Sequence, residues 1–231
     1  MNFSSHLFYT FKKYSSIPLF SCIILEKEGT FMQTRKPTQD RSIKTRNTIV
    51  KKGFEIICKK GYYNISTKDI AEYAGVSTGI IYQYFKDKKE ILLEGVKVYS
   101  QKILFPLINM DENKVIDNYD EFIKDIIEEY IKQHTLSKKA HEELMAMAHL
   151  DKEINAVFHE SELIASERLV NVLRNNHIDM DNIDIKVHIV IGLIDNLCHE
   201  VTYHKHNNMN YEEMKKEVIE IIKYTLKKGR N

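Results

Sequence analysis

Residues 66–90, STKDIAEYAGVSTGIIYQYFKDKKE, constrain this chain more than any other stretch. Ser66 followed three residues later by Asp69 has the spacing of a capping box, as does Asp87 followed by Glu90, and Ser77 offers a simple N-cap between them. Three helix starts within about twenty residues force two short helices and the beginning of a third. Between the first two, Ala74-Gly75-Val76 places glycine where a sharp helix-to-helix turn needs backbone freedom. Ala71 stands where the second helix must cross, and a larger side chain would push the pair apart. Ile70, Ala74, Val76 and Ile81 fall on the inward face. Thr78, Gly79, Ile80, Gln83 and Tyr84 are left outward on the second helix, a short surface of a size that enters a DNA major groove. The pattern is a helix-turn-helix.

Charge is distributed to match. The chain as a whole is nearly neutral, with 34 Lys/Arg against 33 Asp/Glu. Residues 32–100 hold 14 Lys/Arg against 7 Asp/Glu (+7), residues 101–231 hold 17 against 24 (−7), and residues 1–31 hold 3 against 2 (+1). A basic block carrying the motif and an acidic block behind it suit a phosphate-binding head on a body that avoids DNA.

The length accommodates one small head and one larger core-bearing domain. Cys22, Cys58 and Cys198 are odd in number and lack CxxC spacing, which fits a reducing, cytoplasmic setting and small buried side chains better than a metal or disulfide framework. No apolar run approaches the ~20 residues of a membrane-spanning helix. Residues 1–31 resemble a secretion signal only superficially, since Pro18 interrupts the apolar stretch and no small-x-small cleavage site follows. Lys27-Glu28-Gly29 can be encoded by a purine-rich, ribosome-binding sequence just before Met32. Translation from Met32 is therefore the expectation, and the extension receives no function.

Along the rest of the chain the period is helical and strand signals are absent. After a polar arm from Gln33 to Gln39, Thr38 or Asp40 can cap a helix running to Lys60, with Ile43, Val50, Phe54 and Ile57 on one face and Gly61 closing it. A rod from Asp87 runs toward Pro106, a natural break. Further helices are expected over 119–134, 139–150, 152–175, 184–206 and 211–228. The expected fold is all-α: a three-helix helix-turn-helix head over 32–86, then a helical effector-binding and dimerisation bundle over 87–231, about nine helices in total.

The stretch from Arg41 to Tyr99 resembles the amino-terminal domain of the tetracycline-repressor (TetR) family of bacterial transcriptional regulators. The residues that carry the resemblance are Gly61-Tyr62, Thr67, Asp69-Ile70-Ala71, Ala74-Gly75-Val76-Ser77, Gly79, Ile81-Tyr82, Tyr84-Phe85, Lys88, Glu90 and Leu92. They cover about a quarter of the chain; the body matches only in being helical and of suitable size. The resemblance implies a homodimer on double-stranded operator DNA, acting as a repressor that a small-molecule effector releases. It also implies that Thr67 and Lys68 touch phosphate, that Thr78, Gly79 and Ile80 approach base edges, and that Tyr82, Tyr84 and Lys88 contact phosphates. For Tyr82, partial burial in the head competes with a DNA contact. Gly79 and Ile80 offer no side-chain hydrogen bond, so direct readout leans on Thr78, Gln83, the backbone and an apolar contact from Ile80 to a thymine methyl.

In the body, Tyr99, Phe105, Phe122, Tyr130, Met145, Met147, Phe158 and Asp195 are candidates to line an adaptable effector cavity, although for any single apolar member ordinary core is the better reading. His188, Asp195 and His199 share one helical stripe. They stand too far apart along it to hold one ion without a partner helix, so neither a metal nor another cofactor is expected, and polar interface or pocket residues are the reading. Val190, Ile191, Ile194 and Cys198, with Val218 and Ile222, are expected at a dimer interface, because the 184–206 helix is apolar over more than one face. Gly192 would let two backbones approach there. No glycine-rich phosphate loop, GxSxG or HExxH is present, and catalysis is not expected. An effector-independent architectural or occlusion protein of the same fold is the alternative function. A helical scaffold with a vestigial motif is a more distant one.

Overall fold

The computed structural model describes residues 40–226, apart from Asp179 and the side chain of Phe105. The expectations for residues 1–39 (the start at Met32, the polar arm, Thr38 as a cap, Cys22) and for the last turn to Lys228 lie outside the described residues.

All regular structure among the described residues is helical. Helices α1 (Asp40–Lys60), α2 (Thr67–Ala74) and α3 (Thr78–Tyr84) form the head, with a 3₁₀ turn at Tyr62–Asn64 between the first two. Helix α4 (Lys88–Ile103) runs from the head into the body. The body continues with α5 (Phe105–Ile108), α6 (Tyr119–Gln133), α7 (Lys138–Leu150), α8 (Lys152–Asn175), α9 (Ile183–Thr202) and α10 (Tyr211–Thr225). The described residues hold ten helices against about nine expected. The addition is α5, which forms because Pro106 sits in a first turn, where its missing N–H costs no hydrogen bond. No helix among the described residues is long and apolar enough to cross a membrane.

The helix ends follow their capping residues. Ser66 Oγ accepts the Asp69 N–H while the Asp69 carboxylate accepts the Ser66 N–H at 2.7 Å, a complete capping box. Ser77 Oγ accepts the Ile80 N–H at 3.3 Å. Asp87 accepts the Glu90 N–H at 3.0 Å, but Glu90 reaches past the N-cap to the Lys86 N–H at 2.6 Å, so this box closes one residue early. Gly75 adopts the left-handed conformation at φ 69°, and the Gly75 and Val76 N–H groups return to the Glu72 and Ala71 carbonyls. These paired bonds are a Schellman motif, which turns the chain sharply into α3.

The head core is closed around Ile49, Ile70, Ile81, Phe85 and Ile91, each fully buried. Ala71 is buried as its position between the helices demands, whereas Ala74 and Val76 are half-buried and Ile43 is exposed. Two glycines set the crossing of α1 with α4: a Cβ on Gly53 would stand 2.5 Å from Ile91 Cγ2, and one on Gly95 2.6 Å from Phe54. Where α4 passes α8, Ser100 and Ser161 are both buried and their hydroxyls meet at 2.8 Å, beside a fully buried Ala165.

The body corrects the expected dimer surface. Val190, Ile191, Ile194, Cys198, Val218 and Ile222 are all buried within the single chain. Helix α9 is packed against α6, α8 and α10 together, so its wide apolar arc is covered mostly from inside. What remains open on these helices is a narrower stripe of Ile185 and Ile189 on α9 with Ile221 and Tyr224 on α10. Gly192 follows the same α9 stripe, and a Cβ there would meet nothing within 4 Å.

Candidate nucleic-acid interface

The helix-turn-helix leaves α3 with one face in the core and one in solvent. Ile81 is fully buried, Ile80 and Tyr84 pack half-buried against the same core, and Gly79, Tyr82 and Gln83 are exposed. Thr78 begins the helix half-buried, and on α2 Thr67 is half-buried and Lys68 exposed. Tyr82, at 54 % exposure, is free for a ligand rather than partly buried in the head. The outward set therefore combines two hydroxyls, one amide, two phenols and one ammonium on a surface two helices wide. That chemistry suits phosphate oxygens and base edges.

Two cations are occupied elsewhere. Lys88 Nζ donates to the Tyr62 and Ile65 carbonyls, both at 2.8 Å, and lies 4.3 Å from the centre of the Tyr62 ring. An ammonium has three N–H donors, so two are committed to bracing the loop that leads into α2. Arg46 is likewise folded inward, paired with Glu94 at 3.0 Å and lying over the Phe85 ring. A further brace ties α2 to α1: the Tyr73 hydroxyl donates to Glu55 at 2.6 Å and Lys59 donates to the same carboxylate at 2.7 Å. The Lys59 contact, followed by those of Tyr73 and Lys52, holds the Glu55 carboxyl down to about 2.

The head is fastened to the body at two points besides the continuous α4. The Tyr62 N–H donates to Glu143 of α7 at 3.1 Å. Lys89, in the first turn of α4, pairs at 2.7 Å with both Asp151 and Glu153 at the start of α8. Lys89 is the main cause of an Asp151 carboxyl below its usual range, and the Glu153 and Ile154 N–H groups that Asp151 caps add to it. A movement of α7 or α8 is thus felt directly at the base of the head.

The residues expected around an effector are only partly gathered. Tyr99, Phe122 and Tyr130 are buried, Met145, Met147 and Phe158 are half-buried against the core, and the Phe105 side chain lies outside the described residues. Tyr130 and Asp195 do meet, with the Tyr130 hydroxyl donating to Oδ1 at 3.4 Å. Burial, and then the Asp195 carboxylate, push the Tyr130 phenol well above its ordinary value. Beside this pair stand His199, which shares the stripe of Asp195, and residues that no sequence pattern grouped with it: His134 at the end of α6, His141 on α7 and Tyr203 at the end of α9. His188, two turns away along the same stripe, is exposed and lies 3.3 Å from Glu162. A separate concavity of about 350 Å³ lies on the outer face of α1, lined by Asp40, Ile43, Lys44, Asn47, Thr48 and Lys51.

Comparison with known proteins bears on the head most strongly. Residues 49–94 match the family model described as bacterial regulatory proteins, tetR family. The HTH-type transcriptional regulator HbdR of Aromatoleum sp. (strain CIB) is 40% identical over 62 residues, 25% of this chain and 27% of that protein. The fatty acid metabolism regulator protein of Bacillus subtilis (strain 168) is 41% identical over 49 residues, 21% of this chain and 25% of that protein. The chain thus spans about a quarter of the length of these curated relatives. A crystal structure from Mesorhizobium loti, assigned to the TetR family, superimposes with a TM-score of 0.65 at 16% identity, covering 81% of this chain and 98% of that one. At that identity the likeness shows the fold of the covered part, head and body together.

Proposed function

We propose that this chain, a DNA-binding transcriptional regulator that belongs to the tetR family of bacterial regulatory proteins, is a cytoplasmic homodimeric repressor released from its operator by a small-molecule effector. Residues 32–86 act as the DNA-binding domain and 87–231 as the effector-binding and dimerisation domain. The observation that carries this reading is the outward face of α3, held by a closed head core and tied to α7 and α8. Thr78, Gln83 and the exposed rim of Ile80 read base edges. Thr67, Lys68, Tyr82 and Tyr84 take phosphates, which set register without selecting sequence.

The dimer forms through the open stripe of Ile185, Ile189 and Gly192 on α9 with Ile221 and Tyr224 on α10, facing the same stripe of a second copy across a two-fold axis. The occupant is a second copy because a head of this size reads one half-site. Two joined heads span successive major grooves about 34–36 Å apart. The test is sedimentation at micromolar concentration together with binding to DNA from the protein's own gene neighbourhood. The unmodified chain should sediment as a dimer and shift that DNA; Ile189→Asp should sediment as a folded monomer that shifts it poorly. A monomeric unmodified chain would overturn both the assembly and the DNA-reading scheme. Release is then sought by screening small molecules for those that raise the melting temperature and free the DNA.

A further inference from the structure

His134 and His199 converge from two helices on the Asp195 carboxylate, inside the body and away from the DNA-reading face, and His141 of a third helix stands beside the His199 ring. Nδ1 of His134 lies 2.8 Å from the Tyr130 carbonyl. A carbonyl can only accept, so Nδ1 carries the proton and the lone pair is on Nε2. That Nε2 is buried and has no hydrogen-bond partner, in a residue only 6% exposed. A buried acceptor aimed at nothing polar is uncommon in a folded chain and asks for a ligand. Three groups stand around it: Asp195, His199 and His141. Ligand atoms of His134, Asp195 and His199 all lie within 4.8 Å of one another. His199 Nδ1 is 3.6 Å from Asp195 Oδ2. His141, 3% exposed, has its own Nδ1 buried and unpartnered, with its ring 4.6 Å from that of His199.

We infer that His134, Asp195 and His199 form a binding site for a divalent transition-metal ion of borderline softness, such as Zn²⁺, with His141 placed to complete it. Two imidazoles and a carboxylate are the donor set such ions take, at about 2.0–2.2 Å per bond. Tetrahedral bonds of that length put donors about 3.4 Å apart, so side-chain adjustments of about an ångström close the site from its present spread. The outer contacts already have the form metal sites use. The ring N–H of His134 is fixed by a carbonyl, and Asp195 accepts a hydrogen bond from the Tyr130 hydroxyl. Tyr203 stacks on His141 at 4.0 Å between ring centres and holds that ring beside the others.

The stripe of α9 alone could not supply this. Asp195 and His199 needed a second helix, and α6 provides it through His134. The site also has a route to the head, because α7 carries both His141 and the Glu143 that accepts the Tyr62 N–H. That consequence rests on the reading of the chain as a regulator. The site itself does not, so its test measures the metal directly. Untagged full-length protein, stripped with a chelator, is titrated with Co²⁺ by visible absorption and with Zn²⁺ by calorimetry. One equivalent per chain should bind, with a dissociation constant on the order of 1 µM or below and d–d bands of low-symmetry Co²⁺. Asp195→Asn and His199→Ala alter half-exposed side chains and should leave circular dichroism unchanged while weakening Zn²⁺ at least about 10-fold. Absence of saturable binding, or unweakened binding in either folded variant, overturns the site; DNA binding by the metal-free protein is unaffected by that outcome.

Discussion

Replacing Lys88 by methionine separates a structural from a DNA-contacting role for this lysine, and we predict that the structural one dominates. The ammonium holds the Tyr62 and Ile65 carbonyls at 2.8 Å each and lies 4.3 Å from the Tyr62 ring centre. Hydrogen bonds to a charged group contribute about 1.5–3 kcal/mol each, and a half-buried pair belongs at the lower end. The ring contact adds about 0.5–1 kcal/mol. Methionine keeps the stem packed, so the loss is that of the charge alone, about 3.5–4 kcal/mol in total. With a urea m-value of about 3 kcal/mol/M for a chain of this length, the midpoint should fall by about 1 M. The assay is urea unfolding followed by far-ultraviolet circular dichroism, paired with DNA binding across a salt series. A midpoint shift below about 0.2 M, with the salt slope lowered by about 1, would show that the ammonium serves a phosphate and that the brace is incidental.

Gly95→Ala places a methyl 2.6 Å from Phe54 at the α1–α4 crossing and should destabilise by about 2–3 kcal/mol in the same unfolding assay. Ile191→Asp buries a carboxylate in a position only 2% exposed and should leave little folded protein by circular dichroism, in contrast to the folded monomer expected of Ile189→Asp. Thr78→Ala should reorder preferences among operator variants in competition binding, while Lys68→Ala should weaken all of them alike. Burial pushes the Cys58 thiol up to about 12 and the Cys198 thiol higher still, so almost no thiolate exists at pH 8; peptide mapping after a thiol reagent should find both unmodified in the native protein and modified once it is unfolded.

The head was legible in the sequence because its information is local. Capping pairs are three residues apart, the turn depends on one glycine, and the reading face follows from helical period over seven residues. Ser66, Asp69, Gly75, Ser77 and Ile81 all stand where those rules put them. The Lys88 brace was not legible, since its partners are backbone carbonyls 23 and 26 positions away, and a carbonyl carries no sequence signature.

In the body, period revealed which helices exist but not which face each turns to a neighbour. Val190, Ile191, Ile194 and Cys198 are as apolar as Ile185 and Ile189. Only the packing of α6, α8 and α10 around α9 decides that the first four are core and the last two are surface. The same holds for the histidines. His134, His141 and His199 are unremarkable at their own positions on three helices, and spacing along one helix argued against a shared ligand. Sequence by itself determined the all-helical fold and the DNA-reading motif, both governed by interactions within a few residues. Tertiary structure alone decided the open stripe on α9 and α10 and the convergence on Asp195. Both depend on contacts between helices distant in sequence, such as the 65 positions that separate Tyr130 from Asp195, and their geometry exists only once the helices have packed.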